Sequence, residues 1–181
     1  MPPPGLKVSG SCPQLATRAH MLYGWVCRLI GMNVVEFDAL VEPLRRKSVA
    51  SLAEHGFALI DGRTATAAEV ADLENQLGVT LPEKYKAFMM RYGGGLVGRL
   101  ELFPIVGAAF GDDDVKSVND REFPDRAFIA IAPVGTGDHW GFPVDDGHCR
   151  EEVWFHFHDG GDPELEAADV LEFVARRGLG L

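Results

Sequence analysis

Apolar positions along this chain follow a helical period between about residues 34 and 95 and a strand period after it. Val70, Leu73 and Leu77 recur on one helical face. Thr66, three residues before Glu69, supplies a capping box in which each side chain satisfies a backbone N–H that the helix start leaves open. Gly78 can take the left-handed conformation that stops the helix. Leu81-Pro82 restarts the chain, since proline is tolerated in a first helical turn. Tyr85, Phe88, Met89 and Tyr92 then stand at i, i+3, i+4 and i+7, a stripe that must pack on something. Gly93-Gly94-Gly95 ends this second helix. An earlier helix over residues 34–55 is expected to break near Pro43, with Phe37, Leu40, Leu44 and Leu52 as its apolar anchors.

From Leu96 onward Leu100, Leu102 and Ile105 mark a strand region, and the near-continuous apolar run 128–134 reads as a central strand. Gly135-Thr136-Gly137-Asp138 turns the chain, 140–144 forms a short strand, and Asp145-Asp146-Gly147 is a tight turn whose residues tolerate positive φ. The next strand is 153–158. Asp162 is then expected to cap, and Pro163 to open, a last helix whose Ala167, Val170, Leu171 and Val174 share one face, with Arg176 and Arg177 at its negative end. Helices, a strand meander and a closing helix predict a single α+β domain: N-terminal helices, an antiparallel-rich twisted sheet and a C-terminal helix.

Length and charge divide the chain. Its 181 residues, 46% of them hydrophobic, suit one ordinary core. Residues 1–31 carry Lys7, Arg18 and Arg28 and no acid, so the formal net charge of −10 becomes −13 for residues 32–181. This basic segment lacks a core-forming period, and we expect either disorder or translation from a start upstream of the true one at Met32, with the folded domain over 32–181. The apolar stretch 21–35 is interrupted by Arg28 and precedes no small-residue cleavage site, which argues against an export signal; it is also too short for a membrane helix. Cys12, Cys27 and Cys149 are an odd set without a repeated spacing, as expected in a reducing, cytoplasmic setting.

Candidate chemistry is thin. His156 and His158 share a strand face and His148-Cys149 lies across the preceding turn, the outline of a zinc site, but four ligands would have to converge and the neighbouring Trp154 and Phe157 look like packing residues. Gly135-x-Gly137 is followed by an aromatic strand rather than the helix a phosphate loop requires. Cys149 beside His148 puts the two side chains on opposite faces, and no Gly-x-Ser-x-Gly occurs. No catalytic residue, metal or cofactor is assigned.

The acidic surface is the remaining signal. Asp112, Asp113 and Asp114, then Asp120, Glu122 and Asp125, are read as a charged loop between strands, with Asp138, Asp145 and Asp146 at later turns. Such a field repels nucleic acid and speeds association with basic proteins, although acidity also serves solubility alone. Trp140, with His139 beside it in a turn, is the best aromatic anchor for a partner, and Trp154 the better candidate for the core. The candidate partner-binding residues are Asp112, Asp113, Asp114, Asp138, His139, Trp140, Asp145 and Asp146.

Several motifs together resemble the SUKH superfamily, the fold shared by bacterial toxin-immunity proteins and the yeast Smi/Knr cell-wall regulator. They are Thr66 with Glu69, Leu77-Gly78 with Leu81-Pro82, Tyr85-Lys86-x-Phe88, Phe128-Ile129-Ala130-Ile131-Ala132, Gly135-Thr136-Gly137-Asp138, and Val153 with His158-Asp159. The resemblance covers about residues 34–175 and departs at Gly93, where the family usually has Asn. It implies binding without catalysis: a cytoplasmic immunity protein that neutralises a polymorphic or contact-dependent toxin domain, a nuclease among the options. A regulatory interaction module without a toxin partner is the alternative. Neither the resemblance nor the residues fix an oligomeric state.

Overall fold

The computed structural model describes residues 32–107 and 113–181. The expectation for residues 1–31, Cys12 and Cys27 included, and the position of Asp112 lie outside the described residues.

Helix α1, Val34–His55, starts at a capping box in which the Asn33 side chain accepts from the Val35 and Glu36 amides and Glu36 accepts from the Asn33 amide at 3.0 Å. Pro43 sits inside it and the helix runs on unbroken, contrary to the expected break. The ring removes one backbone donor, a cost of about 3 kcal/mol in a helix interior. Packing outweighs it, because Phe37 and Val41 are fully buried on one side of the proline and Leu44 lies against the core on the other. Leu52, expected as an anchor, is exposed, and Val41 takes its place. Ser48 Oγ accepts from the Leu59 and Ile60 amides at 2.8 and 3.1 Å and ties α1 to strand β1, Ile60–Arg63.

Helix α2, Ala67–Leu77, begins and ends as the sequence predicts, with Thr66 and Glu69 exchanging hydrogen bonds and Gly78 at φ 71°. Helix α3, Glu83–Arg91, buries Tyr85, Phe88 and Met89 completely, Phe88 and Met89 each contributing roughly 1.5–3 kcal/mol. Phe37 meets Phe88 and Tyr92 edge-on at 5.9 and 5.5 Å, which locks α1 to α3. Gly93 closes α3, but Gly94 and Gly95 already belong to strand β2, Gly94–Val97. A Cβ at Gly94 would stand 2.3 Å from Pro104 Cα, so this glycine serves a close backbone crossing and not a helix stop.

The strands form two sheets. Antiparallel β1, β2 and β3 (Leu100–Leu102) make the first, in that order. The second has β4 (Phe128–Pro133), β5 (His139–Asp145), β7 (Val153–His156) and β8 (Glu164–Ala167) in path order, with the short β6 (His148–Cys149) hairpinned onto β5. The expected central strand β4 therefore ends its sheet. It is buried because other groups cover its edge: the Phe103 amide donates to Ile131 O at 2.8 Å, and Asn119 bonds both backbone groups of Ala130. Asn119 comes from helix α4, Val115–Glu122, capped by reciprocal bonds between Asp114 and Ser117. The acidic stretch read as a loop is thus largely a helix.

The last helix is shorter than expected. Residues 164–167 pair with β7 as a strand, since Leu165 and Glu164 register with Trp154 and Phe155, and Asp169 rather than Asp162 caps helix α5, Val170–Val174. A π-helical turn, Ala175–Leu179, carries Arg176 and Arg177. β7 likewise stops at His156, two residues before the expected end. The result is a single α+β domain with a helical start, twisted antiparallel sheet and a closing helix.

Candidate functional site

A cleft of about 350 Å³ opens where β3 and the residues after it meet α4 and the β4–β5 turn. Glu101, Leu102, Phe103 and Pro104 form one wall, Asp113, Arg121 and Glu122 a second, and Pro133, Gly135, Gly137, Asp138 and His139 the third. Among the described residues, four carboxylates against one guanidinium give its lining a formal charge of −3 with His139 neutral. Each element places its acid by local rules. Strand alternation turns Glu101 outward between buried Leu100 and Leu102. The capped α4 presents Arg121 and Glu122 in its last turn, Glu122 on the same stripe as buried Val115 and Val118 where that face reaches the rim of the cleft, and Arg121 to its side.

Most of these acids are held in place from within. Arg121 donates to Asp113 at 2.9 Å and to Glu122 at 3.1 and 3.2 Å. Asp138 accepts from Thr136 at 2.5 Å, from the His158 amide at 3.0 Å, and pairs with the His158 ring at 2.6 Å. These contacts hold Asp138 well below the ordinary carboxylate range, the Thr136 bond foremost, and the Asp138 bond raises His158. Burial lowers His139 more than the nearby Glu122 raises it, so its imidazole is neutral at pH 7.

The raised His158 and lowered Asp138 fix the sign of a pH effect. The histidine share of this contact is complete below the ordinary imidazole value and fades as pH climbs through the raised one. The aspartate share is complete above the ordinary carboxylate value and is lost as pH falls through the lowered one. Asp138→Asn should therefore move the His158 titration, followed by its ring proton resonances, down towards the ordinary value; an unmoved titration would show that the pair does not form in solution.

A family model described as the SMI1 / KNR4 family (SUKH-1) matches residues 64–176, more than half of the chain. The chain belongs to this family. No curated protein matches it. Every residue around the cleft falls inside the matched span, whereas α1 and β1, which the sequence resemblance included, precede it. SUKH membership supports a general immunity or protein-interaction role, in a family that is generally non-catalytic. Among the described residues no helix is long and apolar enough to cross a membrane.

The SUKH fold brings together three of the residues read from sequence, Asp113, Asp138 and His139, and separates the others. Asp114 is used as the α4 cap. Asp145 and Asp146 sit at the other end of β5, six residues or about 20 Å away, where Gly147 O accepts from the Thr80 amide and ties the hairpin to the α2–α3 link. His139 and Trp140 do not form an exposed turn. They open β5, His139 only 7% exposed and Trp140 packed on Phe173 at 5.4 Å with Arg177 over its ring. Trp140 lines an adjoining hollow that shares Glu101, Pro133 and Gly135 with the cleft. Trp154 is half-buried rather than a core residue. Glu101 and Arg121 were missed by sequence reasoning, since a lone Glu in a strand and an Arg in a helix carry no signal until the elements meet.

The histidines scatter. His156 packs on Phe123 and Phe128 at 5.1 and 5.2 Å, His158 faces Asp138, and His148 is exposed on β6. Among the described residues no three His, Cys, Asp or Glu side chains gather as metal ligands. Burial pushes the Cys149 thiol up to about 12, opposite to what a nucleophile needs.

Proposed function

We propose that this SUKH protein is a cytoplasmic immunity protein that binds and neutralises a polymorphic or contact-dependent bacterial toxin domain without chemistry of its own. The partner is a basic protein domain, a nuclease being the type whose cationic substrate-binding face such a surface fits. The observation that carries the reading is the cleft itself, a concave surface of net charge −3 on a family scaffold associated with immunity and protein interaction. Its field attracts a cationic domain and repels nucleic acid and anionic membrane surfaces. No cofactor is needed for occlusion.

The test is co-expression of the full chain with the C-terminal domain of the nearest large secreted protein encoded in the same genome, reading growth and co-purification. Rescue from toxicity with a stable complex supports immunity. Toxicity without rescue, or a purified pair that forms no complex, overturns it. Absence of any toxic neighbour would favour a regulatory interaction module of the Smi/Knr kind instead.

A further inference from the structure

Three of the four carboxylates around the cleft are already satisfied from within the chain: Asp113 and Glu122 by Arg121, and Asp138 by Thr136 and His158. Glu101 is different. It is exposed on β3, lines both the cleft and the adjoining hollow, and among the described residues no hydrogen bond or ion pair reaches it. Among the described residues a second group lacks a side-chain hydrogen bond as well. His139 is more than nine-tenths buried and lines the cleft, yet its nearest charged neighbour, Glu122 Oε2, stands at 3.9 Å, beyond hydrogen-bonding reach. Phe103 and Phe123 flank its ring at 6.0 and 5.6 Å.

We propose that the cleft is the receptor for one arginine side chain of the partner, with the Glu101 carboxylate taking the guanidinium's charge and the rings of His139 and Phe103 forming its inner wall. This rests on the immunity reading only in that the partner is a protein. The volume suits one long side chain with a few waters of about 30 Å³ each. A metal ion would need several free ligands, and among the described residues only one carboxylate here is free. A lysine ammonium is a strongly hydrated point charge that loses its water shell for one carboxylate and two rings. A guanidinium is planar and weakly hydrated, stacks on aromatic faces and spreads five N–H donors over a carboxylate and an imidazole acceptor.

The neutral His139 adds a pH signature. Glu122 and Arg121 face it from α4, His156 from β7, Asp138 precedes it in its own chain segment and Phe103 stands across from just after β3. Protonation removes the acceptor and adds a positive charge beside the guanidinium, so occupancy falls as pH drops through the lowered His139 value, below the ordinary imidazole range. His158, whose value is raised, titrates at higher pH and is separable.

The test is titration of the ¹⁵N-labelled full chain with acetyl-arginine methylamide and with its lysine counterpart, followed by amide shifts. We expect the arginine probe to move Glu101, Phe103 and His139 and to bind at least about fivefold tighter than the lysine probe. Glu101→Gln should weaken it about tenfold. Binding should weaken as pH falls below the ordinary imidazole range, and His139→Gln should remove that dependence. Since Glu101 is exposed, unchanged resonances elsewhere verify the fold of the first variant. Equal binding of both probes, shifts away from the cleft, or an unaffected Glu101→Gln variant would overturn the proposal. A cognate toxin that binds while the arginine probe does not would end this proposal and leave the immunity reading standing; the reverse outcome would do the opposite.

Discussion

Asn119→Leu should destabilise the protein by about 3 kcal/mol, read from urea denaturation at pH 7, because it orphans both backbone groups of Ala130 in one step. Asn119 is fully buried. Its Nδ2 donates to Ala130 O at 2.9 Å and Val115 O at 2.7 Å, while its Oδ1 accepts from the Ala130 amide at 2.8 Å. The side chain thus acts as one rung of a neighbouring strand along the edge of β4. Leucine keeps the branched outline and is the larger side chain, so no cavity is left and the loss reads the orphaned backbone groups together with any overpacking. Asn119→Asp should be no better, since a carboxylate there would face two carbonyl oxygens. A loss under about 1 kcal/mol for Asn119→Leu would show that the edge of β4 finds other partners. The same change should loosen α4, and with it Arg121 and Glu122, so partner binding should fall as stability does.

The second large effect is electrostatic. Glu101→Lys with Glu122→Lys reverses the sign of the cleft, and the association rate with the toxin domain recovered by co-purification should drop about 10–100-fold at low salt. The difference should shrink towards physiological ionic strength, where screening acts over about 8 Å. Asp145→Lys with Glu151→Lys makes the same change in net charge near the β5–β6 hairpin. At about 0.1 M salt, where screening acts over about 10 Å, it should alter the rate by less than about threefold and by less than the cleft pair does, because that hairpin lies about 20 Å from the cleft. Equal slowing by the two pairs, measured by stopped flow, would mean that total acidity rather than the cleft steers the partner.

Much of the helical half was legible because its signals are local. A capping box at Thr66 and Glu69, a left-handed glycine at 78 and an i, i+3, i+4, i+7 stripe from Tyr85 to Tyr92 need only neighbours within a turn or two. The turn after β5 was legible for the same reason, with Asp146 and Gly147 both at positive φ, although the short β6 paired across it was not. The failures share a cause: at each one a distant contact overruled the local rule. Pro43 should break α1, yet the core holds Phe37 and Leu44 on either side of it. Pro163 should open a helix, yet Glu164 and Leu165 find β7 first. The stretch after Asp114 looks like a charged loop, since Val115 and Val118 give too short an apolar period to declare a helix.

The candidate site divides along the same line. Sequence alone determined that the domain is acidic, that no catalytic constellation stands out, and which motifs tie the chain to the SUKH family, because composition and capping are properties of residues and their near neighbours. Tertiary structure decided which acids act together. It collected Glu101 from a strand, Asp113 and Glu122 from a helix and its approach, and Asp138 from a turn, and it sent Asp145 and Asp146 to the far end of β5. Charges interact through space over a Debye length, whereas sequence orders them along a contour that the fold bends back on itself, so only the folded chain can say which of many acids share a field.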